Sequence, residues 1–133
     1  MAAELVQGLS VVLLLAKDTE HTGAFYRDIL GLPLQEEEHG GRHKHYACRL
    51  GGLYFTIQLA TDLAKPVPHQ GYDFLQLCFT VTDLEAFLRH LQNHQITPLH
   101  PPRQFERTTF TTLLDPDGRH VRVMTPWGRS ESN

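Results

Sequence analysis

The chain has 133 residues, enough for one domain, with 12 Lys and Arg against 15 Asp and Glu and a formal net charge of −3. Hydrophobic residues make up 41% and charged residues 20%, which excludes disorder driven by low hydrophobicity. The mild acidic balance, without a basic block, leaves nucleic acid and anionic membrane surfaces nothing to attract. The longest purely apolar run, Val11 to Ala16, is too short to span a bilayer, and Glu4 is the only charge before it, so no secretory signal is expected. Two cysteines, Cys48 and Cys78, are too few for a disulfide framework or a Cys-only zinc site. A soluble, cytoplasmic protein of one domain is expected.

The sequence reads as two similar halves. Each begins with an apolar run, Leu9 to Ala16 and then Phe74 to Val81. Each run leads into an acidic helix start, Lys17-Asp18-Thr19-Glu20 and Thr82-Asp83-Leu84-Glu85. In the first helix Thr22, Phe25, Tyr26, Ile29 and Leu30 form an apolar stripe; Gly31 ends it and Pro33 prevents continuation. In the second, Leu84, Phe87, Leu88 and Leu91 repeat at helical spacing, and Thr82 with Glu85 has the pattern of a capping box. The stretch from Ala64 to Gly71 carries two prolines and suits a linker.

Strands are expected near 9–16, 34–40, 43–50, 53–60, 74–81, 97–105, 108–114 and 120–125, with Asp115-Pro116-Asp117-Gly118 turning between the last two. The order is βαβββ, twice. Alternation sorts the strand residues into two faces. Leu53, Phe55, Ile57 and Leu59 share one face, while Tyr54, Thr56 and Gln58 share the other. Leu75, Leu77, Phe79 and Val81 oppose Gln76, Cys78 and Thr80, and Val121 and Val123 oppose His120, Arg122 and Met124. One face packs on helices. The other mixes uncharged polar and apolar groups, which suits a concave ligand surface; an ordinary half-exposed sheet is the plainer alternative.

Phe25-Tyr26-Arg27-Asp28-Ile29-Leu30-Gly31-Leu32, the Asp115-Pro116-Asp117-Gly118 turn and the doubled plan resemble the vicinal oxygen chelate superfamily over roughly residues 8 to 127. That superfamily includes glyoxalase I, extradiol dioxygenases and the fosfomycin- and bleomycin-resistance proteins. The resemblance implies an α+β fold: two βαβββ modules, about 8–65 and about 72–127, form curved mixed sheets around a central cup. It places all of 1–133 in one glyoxalase-like domain, and implies modules paired across a homodimer or within a chain.

Metal-using members of the superfamily carry ligands on the inner strand faces: His on the first strand of each half, Glu on the last. Carried onto this chain, those positions fall on Val11, on Thr56 (or Gln58 in the other register), on Gln76 and on Arg122. Val11 has no donor atom, Arg122 repels a divalent cation, and the Thr and Gln oxygens are neutral. The expectation is therefore no metal cofactor. The alternative is a divalent metal at displaced ligands, His43 and His45, which share a strand face and could also serve as acid and base.

His90 and His94 stand at i, i+4 on a helix edge without the Glu of a metalloprotease helix. His39 and His100 read as surface groups, and His120, sharing parity with Arg122, reads as a rim group. Glu36-Glu37-Glu38 reads as a solvated edge, and Cys78 as a small buried hydrophobe. The expected ligand-binding face holds Val11, Leu13, Tyr54, Thr56, Gln58, Gln76, Cys78, Arg122 and Met124, with Trp127 closing one end. Such a face suits a small organic molecule, aromatic or anionic, with Arg122 pairing a carboxylate. The functional expectation is a metal-free small-molecule binder; the alternatives are a lyase, isomerase or dioxygenase of the superfamily, or an interaction module.

Overall fold

A computed structural model describes residues 5, 8–38, 44–60 and 75–126. The chain divides into two compact units, residues 1–67 and 68–133. The fold is α+β, and each unit repeats one plan of strand, helix and three strands.

In the first unit β1 (Val11–Ala16) leads to α1 (Thr19–Ala24), which continues as a π-helical turn through Phe25–Ile29. β2 (Gln35–Glu37), β3 (His45–Leu50) and β4 (Leu53–Leu59) complete a sheet of order β1-β4-β3-β2. β1 runs parallel to β4; the other pairs are antiparallel. Asp18 caps α1, its carboxylate accepting from the backbone N–H groups of Glu20 and His21 at 3.0 and 3.2 Å. At the other end Leu32 N–H donates to the Tyr26 carbonyl at 3.0 Å, and Gly31 supplies the left-handed φ of +77° that this closure needs.

The helix packs on the face expected for it. Leu14, Ala16, Phe55 and Ile57 are buried with Phe25, Tyr26 and Ile29, and the Tyr26 and Phe55 rings lie 5.4 Å apart. Gly23 permits a close approach, since a Cβ there would stand 2.9 Å from Cδ2 of the buried Tyr46 ring.

In the second unit β5 (Leu77–Thr80), α2 (Leu84–Asn93), β6 (Arg103–Phe105), β7 (Thr108–Leu114) and β8 (His120–Met124) give the order β5-β8-β7-β6. Val121, Val123, Leu113 and Leu91 are buried. Asp115 anchors the β7–β8 turn: its Oδ1 accepts from Asp117 N–H and Arg119 N–H at 2.8 and 2.9 Å. Its Oδ2 pairs with Arg119 at 2.7 Å.

Two expectations need correction. Thr82 does not cap α2. It lies exposed one residue outside, and Asp83 takes the cap, accepting from Ala86 N–H at 3.0 Å. A carboxylate there also meets the positive end of the helix, which a hydroxyl cannot match. The expected strand 97–105 shrinks to Arg103–Phe105, because Pro98, Pro101 and Pro102 have no N–H to give a ladder. Leu99 N–H still donates to the Thr112 carbonyl at 2.8 Å. The proposed linker, His39, His43 and Trp127 lie outside the described residues.

Candidate functional site

Each sheet has one face covered by its helix and one face left open by it. On the open face of the first sheet the ladder aligns Val11 with Tyr54 and Arg49, Leu13 with Thr56 and Ala47, and Glu37 with His45. Val11, Leu13, Tyr54, Thr56 and Gln58 therefore share the face on which the alternation places them. Val11 and Leu13 are 47% and 39% exposed, whereas Thr56 is buried.

A polar cluster dominates this face. His45 Nε2–H donates to Glu37 Oε1 at 3.0 Å, and the Tyr54 hydroxyl donates to the same oxygen at 2.9 Å. The acceptor is a carboxylate, so the bonded His45 nitrogen must carry its proton. Burial pushes the Tyr54 phenol above its ordinary range, and the bond to Glu37 adds to that, so Tyr54 stays a neutral donor. The Tyr54–Glu37 bond crosses the row of Ala47 and Thr56, and both lie closed to water. The buried Thr56 hydroxyl has no partner among the described residues. The Arg49 guanidinium sits 5.5 Å from the centre of the Tyr54 ring.

Glu37 was not expected here. The run Glu36-Glu37-Glu38 does present Glu36 to solvent, where it pairs with Lys44 at 2.9 Å. Its neighbour turns to the opposite face, because successive strand residues alternate. Antiparallel pairing of β2 with β3 places Glu37 beside His45; folding the hairpin about Gly40-Gly41 in the sequence would have brought the two together.

On the open face of the second sheet the ladder aligns Cys78 with Arg122 and Thr112, and Thr80 with Met124, Phe110 and Arg103. Arg122 sits over Phe110, its guanidinium carbon 4.0 Å from the ring centre. Its Nε is buried without a partner, and no carboxylate among the described residues pairs with it. A cation held over a ring still needs acceptors for its N–H groups, and with Nε closed to solvent the terminal Nη groups are those left for one. A positive charge removed from water in this way is stabilised by an anion, and a planar oxyanion matches its fork.

His100 is a correction on this face. It is half-buried, not a surface group: its ring meets Phe110 edge-on at 5.4 Å, and its two nitrogens contact the Pro101 carbonyl at 2.7 Å and the Thr112 hydroxyl at 2.8 Å. The carbonyl only accepts, so Nδ1 carries the proton, and in the neutral ring Nε2 takes the hydroxyl's. Cys78 is exposed, not the buried hydrophobe expected; Cys48 is the buried thiol, pushed up from its usual range by burial. Gln76 is exposed just before β5, and His120 is exposed on the Arg122 face. His90 and His94 stack at 4.4 Å at the end of α2.

The positions where related metal enzymes carry ligands do not fit a divalent cation. Val11 offers no donor, Thr56 a neutral hydroxyl, Gln76 an amide exposed ahead of its strand, and Arg122 a fixed positive charge. Among the described residues no group of three or more His, Cys, Asp or Glu converges as a metal site requires.

Comparison with known proteins agrees with this architecture. An uncharacterized protein of Escherichia coli (strain K12), YaeR, is 28% identical over 117 residues, covering 80% of this chain and 87% of its own. An integron cassette protein from the mobile metagenome of V. Cholerae superposes with a TM-score of 0.69 at 21% identity, over 94% of this chain and 99% of its own. A lactoylglutathione lyase from Agrobacterium tumefaciens superposes with a TM-score of 0.67 at 20% identity, over 95% and 100%. The family description covers residues 8–123, both βαβββ modules, and the chain belongs to the Glyoxalase/Bleomycin resistance protein/Dioxygenase superfamily.

Proposed function

We propose that the protein binds a small organic anion, without a metal, against the open face of its second sheet. One observation carries this reading: the Arg122 guanidinium, stacked on Phe110, has a buried Nε without a partner. A ligand carboxylate would accept from its Nη N–H groups, and Phe110, Met124 and Leu114 would supply apolar contact on the same face. Two free thiols suit a reducing, cytoplasmic setting, and no described helix is long and apolar enough to cross a membrane. We also expect a homodimer, which sedimentation would test.

The test uses benzoate as probe in a thermal-shift titration. Saturating benzoate raises the melting temperature of the wild type. Arg122→Gln abolishes that rise. An equal rise in both proteins would sink the proposal.

A second reading rests on the Glu37–His45 pair. A carboxylate that fixes the tautomer of a half-buried imidazole suits acid–base chemistry, so a lyase, isomerase or dioxygenase acting through His45, or through a divalent metal held by His43 and His45, is the alternative. Elemental analysis of protein purified without chelator separates the two. Stoichiometric metal lost in His45→Ala would favour the enzyme.

A further inference from the structure

We infer that the anion taken by this face carries two negative charges, and that Arg103 is the residue that selects for the second; the inference rests on the anion-binding reading of Arg122 above. Arg103 is the register partner of Phe110, the ring on which Arg122 stacks, and the strand alternation puts both guanidinium groups on the same face of the sheet. β7 separates their strands. By ideal sheet spacings the two Cα atoms lie roughly 12 Å apart, a gap that two arginine side chains close around a group the size of a phosphate or a pair of carboxylates.

Among the described residues no carboxylate compensates either charge. None of the strand residues on this face is acidic. In the β7–β8 turn Asp115 and Asp117 are engaged with Arg119 at 2.7 and 3.5 Å, and Glu106, exposed in the β6–β7 turn, pairs with neither arginine. Neither Arg103 nor Arg122 pairs with a carboxylate among the described residues. His100 adds a hydrogen-bonding ring beside Phe110 and no negative charge. The first sheet differs here, since its open face carries the Glu37 carboxylate. A monoanion would neutralise Arg122 and leave Arg103 unmatched; a phosphate monoester or a dicarboxylate neutralises both.

Three aromatic probes of similar size separate the possibilities by calorimetric titration at low salt and about pH 8, where a phosphate monoester is a dianion: benzoate, phthalate and phenyl phosphate. At least one dianion binds about fivefold tighter than benzoate, the range of a single exposed ion pair. Whether phthalate or phenyl phosphate shows the gain identifies the second charge as carboxylate or phosphate. Arg103→Gln lowers that dianion to the affinity of benzoate, Arg103→Lys restores part of the gain, and Arg122→Gln weakens all three probes. Arg89→Gln, on the exposed side of α2, leaves every affinity at the wild-type value. Arg103 is exposed, so its variants keep the wild-type melting temperature. Benzoate binding that depends on Arg122, with dianions no tighter or indifferent to Arg103→Gln, overturns this inference alone. No binding of any probe overturns the anion-binding reading as well.

Discussion

The two sheets share one topology, yet their open faces are in opposite electrostatic states. On the first, Glu37 receives hydrogen bonds from both His45 and Tyr54, so the charge is satisfied from within the protein. On the second, Arg122 is half-buried on Phe110 with a sealed, unpartnered Nε. A satisfied charge contributes to the fold; an unsatisfied one costs the fold and becomes useful only when something arrives to meet it. The difference separates a face whose carboxylate is met from within the protein from a face whose guanidinium is not, among the described residues.

The comparison is broken most severely by unseating β8. Asp115→Ala leaves two backbone donors and the Arg119 guanidinium without their acceptor, and is expected to cost about 3 kcal/mol in chemical denaturation and to abolish benzoate binding through loss of the Arg122 register. Next comes the first face itself. Glu37→Leu orphans the His45 and Tyr54 donors and is expected to cost about 2 kcal/mol, reduced from a fully buried value because Glu37 is partly exposed. Retained stability would show that the cluster is not self-satisfying.

Tyr54→Phe removes one donor and is expected to cost about 1 kcal/mol near neutral pH. It also carries a pH signature. Burial and Glu37 raise the Tyr54 pKa above its ordinary 10.0, so the folded state holds the phenolic proton more tightly than the unfolded chain. That stabilisation is complete below pH 10 and is lost as pH rises through the folded value. Denaturation midpoints should therefore fall less steeply above pH 10 in Tyr54→Phe than in the wild type, with Tyr46 and Cys48, also raised by burial, acting equally in both. The smallest effect sharpens the contrast best. Arg122→Met removes an unpaired charge while keeping apolar cover over Phe110, so stability should stay level or rise by up to about 1 kcal/mol even though the anion no longer binds. A loss of stability there would mean that Arg122 serves the fold.

Much of the architecture is legible in the residues themselves. Asp18 and Asp83 mark both helix starts, Gly31 a helix end, and Asp115-Pro116-Asp117-Gly118 a turn, because each signal acts within a few residues of chain. Even there, a local signal misleads: Thr82 was expected to cap α2, and the backbone gives that place to Asp83. Prolines before β6 shorten a strand that its apolar residues suggest. The candidate site is less legible. Glu37 hides within an acidic run, and His100 among prolines, because what makes each notable is a partner distant in sequence.

Alternation along a strand is a property of the chain, and it is enough to decide that Tyr54, Thr56 and Gln58 point together and that Arg122 opposes Val121 and Val123. Which of those side chains finds a partner is not a property of any one strand. Register between strands brings Glu37 to His45 and Tyr54, and stacking on Phe110 carries Arg122 out of reach of every described carboxylate. Periodicity needs only neighbours along the backbone, whereas charge compensation depends on distances that exist only after the sheets have formed.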